Sequence, residues 1–186
     1  FWVFASRFLY NFAIFAVQGY MLYFFTDAFS NNFSIFIWQK AITNPVRANS
    51  IYSLCKFLSC LCSSILCGSL SDKFGRKPFV FMSAVLVGAG ALGTMVVRNY
   101  SLVLVLGIVT GLGIGSHHAV DMGLANDVLP SKNNIARDMS IWQLSLTVPH
   151  LISPPIIGFL IGYCDKLFSR GIIHIPHFGY AIMFFV

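Results

Sequence analysis

The sequence predicts an all-α integral membrane protein with several spans, and three observations carry that reading. Hydrophobic residues make up 57% of the 186-residue chain and charged residues only 10%, against roughly 25% charged in soluble domains. The apolar residues fall into runs of about 20, the length that crosses a hydrocarbon core as a helix. Those runs are continuous rather than alternating, which excludes transmembrane β-strands. The mean hydropathy is +0.78 and Glu is absent. Such a chain cannot cover a soluble fold with polar surface. Its 19 Phe, 7 Tyr and 3 Trp exclude disorder.

Six runs follow in order. The first, about residues 8–25, is aromatic-rich and carries Asn11 and Gln18. A polar stretch with Asn44-Pro45 as a turn signal leads to the second, 51–70, with Lys56 near its start. A tight charged loop separates it from the third, 78–97, which has no charge and opens on Pro78, a residue suited to a first helical turn. Arg98-Asn99-Tyr100 makes a very short turn into the fourth, 101–129, which Pro130 closes. The fifth is 139–163. The sixth, 178–186, breaks off inside an apolar run, and the chain opens on Phe1 without an initiator Met, so a fragment of a longer protein is expected. No signal peptide is visible.

Small residues pattern the fourth run. Gly107, Gly111, Gly115, Ala119 and Gly123 recur every fourth position, which puts them on one helix face and invites close approach of another helix. The fifth run holds Pro149, Pro154 and Pro155, each of which removes a backbone hydrogen bond. The formal charge is +6, but the twelve Lys and Arg are scattered over loops and form no basic stripe, so a nucleic-acid partner is not expected. Cys55, Cys60, Cys62, Cys67 and Cys164 contain no C-x-x-C pair, so a zinc site is not expected; no other metal and no cofactor is expected either.

One loop identifies a family. Gly68-Ser69-Leu70-Ser71-Asp72-Lys73-Phe74-Gly75-Arg76-Lys77-Pro78 resembles the G-x-L-[AS]-D-[RK]-x-G-[RK]-[RK] signature of the major facilitator superfamily at every specified position. The physical logic is readable. Gly68 lets helices touch, Gly75 permits a positive φ, Asp72 suits a helix N-terminus or a cation, and Arg76 and Lys77 anchor the loop at the cytoplasmic face. Asn126-Asp127-Val128-Leu129-Pro130, with Arg137 beyond it, resembles the acid-x-x-P…R segment that follows the fourth or tenth helix of such transporters. The resemblance covers about residues 1–186. It implies one six-helix half of a twelve-helix bundle with its last helix truncated. The order of segments favours the C-terminal half, with the N-terminal half of the same chain missing; the opposite assignment is the alternative. The family orientation splits the cations six inside and six outside, so the positive-inside rule does not decide.

The resemblance implies secondary active transport of a small solute by alternating access, in the plasma membrane or an internal one, with the lipid bilayer as the other partner. Gly68, Asp72, Gly75, Arg76, Lys77, Asp127 and Arg137 are the expected cytoplasmic gate. Polar groups inside spans are costly and usually face the bundle interior. Asn11 with Gln18, and Gln143 with His150, are each seven apart and share a face. His117 and Asp121 are four apart on the fourth run, His118 and Asp121 three apart. These are the candidates for solute or proton, and Asp121 with His117 brings in a proton-coupled symporter. Asp121 lies roughly 9 Å from the centre of its run at 1.5 Å per residue, a depth that also suits gating or packing. The alternative function is a transporter-like sensor that binds solute without moving it. No motif of an intramembrane enzyme, such as Gly-x-Ser-x-Gly or His-Glu-x-x-His, and no nucleotide-binding loop is visible, so catalysis is not expected.

Overall fold

The computed structural model describes residues 2–28, 44–97, 99–128 and 135–169. Five helices account for nearly all of them: α1 (Trp2–Ala28), α2 (Pro45–Phe74), α3 (Lys77–Val96), α4 (Tyr100–Val128) and α5 (Ile135–Ser169). Each contains a stretch long and apolar enough to cross a membrane. The fold class is therefore all-α and membrane-spanning. The sixth run, 178–186, lies outside the described residues.

The helices reach beyond the apolar runs, because helical geometry continues through polar flanks that hydropathy does not register. Asn44-Pro45 is a helix start rather than a turn. The Asn44 side chain accepts from the Val46 N–H at 3.0 Å, and Pro45 takes the first helical position, where no donor is needed. This moves the start of α2 back and places Lys56 well inside it. Asn99 caps α4 in the same way, accepting from the Ser101 N–H at 3.1 Å. α5 stays helical through Pro149, Pro154 and Pro155. At 35 residues it is roughly 52 Å long at 1.5 Å per residue, longer than a hydrocarbon core.

The chain divides into two compact units, Phe1–Ser30 with Ala136–Val186 and Asn31–Ile135. In the second, α4 is the centre, packing on both α2 and α3, while α2 and α3 hardly touch despite their tight connection. Sequential helices are thus not always packed neighbours. Tyr52 meets Gly107, the Lys56 carbonyl meets Gly111 and the Cys60 carbonyl meets Gly115, so α2 and α4 run parallel. Gly90 meets Thr110 and Gly93 meets Leu106, so α3 and α4 run antiparallel.

The glycine face of α4 is what lets α2 in. A Cβ on Gly111 would stand 2.8 Å from Ser59 Oγ and against the Lys56 carbonyl; one on Gly115 would stand against the Cys60 carbonyl oxygen and 3.0 Å from Cys60 Cα. With the backbones so close, Ser59 Oγ donates to the Ile108 carbonyl at 2.6 Å and Ser63 Oγ to that of Leu112 at 2.7 Å. Tyr100, almost wholly buried, donates to the Ala48 carbonyl at 2.7 Å. Interhelical hydrogen bonds in membranes contribute about 0.6 kcal/mol each. On the outer faces Leu61, Ile65, Phe81 and Val85 are exposed, as a lipid-facing surface requires.

In the first unit α1 and α5 also run parallel. Ser153 Oγ donates to the Phe12 carbonyl at 3.2 Å and Tyr20 Oη to that of Pro154 at 2.8 Å.

Gly115→Ala should destabilise the protein by about 1–3 kcal/mol, because the obstacle is backbone and cannot rotate away. Gly88→Ala, where a Cβ meets nothing within 4 Å, is the control and should be neutral or mildly stabilising. Thermal unfolding of the full-length protein in detergent separates the two; equal effects would remove the close-approach explanation.

Candidate functional site

The signature loop turns as its residues require. Gly75 ends α2 at φ 83° and ψ 161°, a backbone that side chains disfavour. Ser71 Oγ donates to the Gly68 carbonyl at 2.9 Å, and Lys73 lies in the last turn of α2, where a cation suits the helix dipole. A Cβ on Gly68 would meet nothing within 4 Å, so the helix contact expected there is not made among the described residues.

Arg76 is the loop residue that reaches another helix. Its guanidinium donates through Nη1 to the Gly123 carbonyl of α4. Gly123 makes the room, since a Cβ there would lie 2.6 Å from Arg76 Cζ. The glycine stripe thus ends on an arginine rather than on α2. Lys77 and Arg137 are exposed. The side chains of Asp72 and Asp127 lie outside the described residues, so the structure places Arg76 and Arg137 of the expected gate network but not its carboxylates.

Within two turns before Gly123, α4 buries two ionisable groups. His117 and Asp121 are each 7% exposed, whereas His118 points outward. The two imidazole centroids are 6.2 Å apart. Of the two pairings that spacing allows, His117 and Asp121 share the buried face. Fully buried Ser116 beside them bonds back to the Gly113 carbonyl at 2.8 Å.

The other candidates sit on α1 and α5. Asn11 is buried and Gln18 exposed, so a common face did not bring common surroundings. Asn11 Nδ2 donates to the Arg7 carbonyl at 3.0 Å, one turn back on its own helix. Gln143 is half-buried. His150 is exposed, its ring edge-to-face with Phe15 at 4.5 Å. Further along, Gly19, Tyr20, Tyr23, Pro154 and Ile161 line an open groove of about 270 Å³. Gly158 allows the Tyr20 hydroxyl its approach, because a Cβ there would occupy the same space.

Arg7 is the residue that sequence reasoning passed over as a loop charge. It is 5% exposed, its Cζ 4.6 Å above the Trp142 ring. Nη1 donates to the Trp142 carbonyl and, at 2.6 Å, to Ser145 Oγ. Ser145 in turn donates to the Trp142 carbonyl at 2.7 Å. A cation so desolvated needs donors used and a π-face beneath it. The available signal was apolar sequence on both sides: Trp2-Val3-Phe4-Ala5 precede Arg7 and Phe8-Leu9 follow it.

Comparison with known proteins adds three findings. A family model described as Major Facilitator Superfamily matches residues 3–186. Over 97 residues the chain is 29% identical to the multidrug resistance protein MdtL of Shewanella sp. (strain ANA-3), a stretch covering 52% of this chain and 24% of that relative's length. No solved structure matches.

The Arg7–Ser145 contact should behave as one unit. In a double-mutant cycle of Arg7→Met and Ser145→Ala, unfolding free energies should depart from additivity by about 1 kcal/mol or more. Additive effects would mean that the two side chains contribute independently.

Proposed function

The chain belongs to the Major Facilitator Superfamily and is an integral, multi-pass membrane protein, and we propose that it is the C-terminal six-helix half of a secondary transporter that moves a small organic solute by alternating access. The observation that carries the proposal is the seat of Arg76 on Gly123. A bond between the α2–α3 loop and the end of α4 restrains how the helix ends on one membrane face move. An interaction made in only one conformation shifts the balance between conformations. Asp72, Asp127 and Arg137 complete the gate on this reading, with Gly68, Gly75 and Lys77 shaping and anchoring the loop. That the relative is a multidrug resistance protein makes drug-like organic molecules the first solutes to assay.

Proton coupling is the finer part of the proposal. Burial of His117 and Asp121 on one face of α4, a turn apart, favours it. A carboxylate and an imidazole one turn apart on a buried face are two groups able to carry a proton. The sensor alternative has no observation of its own in its favour.

Arg76→Ala in the full-length protein should slow transport by proteoliposomes roughly tenfold, the worth of one charged hydrogen bond, with solute affinity little changed. Gly123→Val should reproduce it by occupying the guanidinium's place. Normal rates with weakened binding would refute the gate assignment. Separately, Asp121→Asn should abolish accumulation driven by an imposed proton gradient while leaving exchange intact. Gradient-driven accumulation at the wild-type level would take Asp121 out of the coupling mechanism.

A further inference from the structure

The groove between α1 and α5 has a lining that neither the gate nor the buried His117 and Asp121 explains. Gly19, Tyr20, Tyr23, Pro154 and Ile161 form it, all in one compact unit and none of them charged. The centroids of Tyr20 and Tyr23 lie 5.9 Å apart with their planes at 37°, so the two rings make one aromatic wall. Tyr20 is fixed there, because its Oη donates to the Pro154 carbonyl at 2.8 Å. Its oxygen keeps lone pairs able to accept. Tyr23 is 59% exposed, and among the described residues its hydroxyl makes no hydrogen bond. Gly19 puts no side chain into the space; even a Cβ there would stand only at ordinary contact, 4.0 Å, from the Pro154 ring.

Size and chemistry narrow the occupant. At about 270 Å³ the groove is smaller than the clefts of roughly 300–1,000 Å³ that enclose drug-sized ligands. It is larger than the roughly 150 Å³ that suffices for benzene. That is room for one ring or two fused ones. A helix, about 10 Å across with its side chains, does not fit. A lipid tail fits by volume but brings no ring to pair with the tyrosines and nothing for their oxygens. A charged group would find no counter-charge among the lining side chains. A neutral ring meets both needs, since aromatic pairs gain beyond their buried area.

We infer that this groove binds a neutral aromatic group of one or two rings, held on the Tyr20–Tyr23 wall and carrying a substituent that hydrogen-bonds a tyrosine hydroxyl. That the group belongs to the transported solute rests on the transport reading; its binding does not.

The test uses full-length protein in lipid nanodiscs, with radiolabelled naphthol as the probe and unlabelled decahydronaphthol, its saturated counterpart, as competitor. The wild type should bind naphthol saturably, above protein-free nanodiscs, and decahydronaphthol should compete about tenfold less well than unlabelled naphthol. Tyr23→Leu keeps the groove apolar but removes one ring, and should weaken naphthol by about two- to tenfold, the worth of one aromatic pair. Gly19→Leu fills the space from α1 and should abolish binding, while the thermal unfolding of both variants stays cooperative. Absence of saturable binding to the wild type overturns the inference. So does equal competition by the two alcohols, which would make the groove a seat for any apolar chain, lipid included; this comparison needs no variant to fold. Wild-type affinity in both Tyr23→Leu and Gly19→Leu would place the bound naphthol elsewhere and overturn it too. Naphthol binding with the expected pattern in a protein that moves no solute would defeat the transport reading and leave this one standing.

Discussion

Helices in a bilayer gain little by hiding apolar side chains from one another, because lipid is as apolar as they are. What holds them together is how closely their backbones approach and what those backbones then bond. In this protein that constraint is met on α4. Gly111 and Gly115 admit the Lys56 and Cys60 carbonyls of α2, while Gly113 takes Ser83, Leu86 and Val87 of α3. The approach brings Ser59 and Ser63 within reach of α4 carbonyls. The same stripe, extended to Gly123, receives Arg76. One helix face therefore serves packing over most of its length and a loop contact at its end.

The α1 and α5 pair meets the same constraint by other means. Its close contacts are polar side chains on carbonyls: Arg7 on Trp142, Ser153 on Phe12, Tyr20 on Pro154. Where glycine does take part, at Gly158, it accommodates a hydroxyl and not a backbone. α5 carries three internal prolines, each of which removes one backbone donor from its ladder. Glycine contacts leave little play between backbones, whereas side-chain contacts can be exchanged. That difference suits a protein in which some helices must move.

Much of this was legible in the residues. Long apolar runs specify spans, the four-residue glycine repeat specifies one packing face, and Gly75 within a charged loop specifies a turn with positive φ. Other features were not legible, for physical reasons. Hydropathy stops at the first polar residue, so Asn44-Pro45 read as a turn although it is a cap followed by a first-turn proline. That misplacement made Lys56 look peripheral. Charge type alone does not say whether an arginine meets water or a tryptophan face, and Arg7 was misjudged on that ground. A repeat shows that some helix approaches but not which one, so α2 and α4, distant in sequence and parallel, were not foreseen as partners. Periodicity paired Asn11 with Gln18, yet burial depends on neighbours that a single helix does not encode.

The central claim is that the α2–α3 loop is a local latch on the end of α4, carried by a glycine-packed helix unit that does not depend on it. Hydrogen–deuterium exchange on the full-length protein in lipid nanodiscs, wild type against Arg76→Ala, tests this most directly. Faster exchange is expected in the α4 amides around Gly123, with those from Val103 to Gly115 still protected. Loosening spread evenly along α4 would instead make Arg76 a general packing residue, and unchanged exchange around Gly123 would remove the latch altogether.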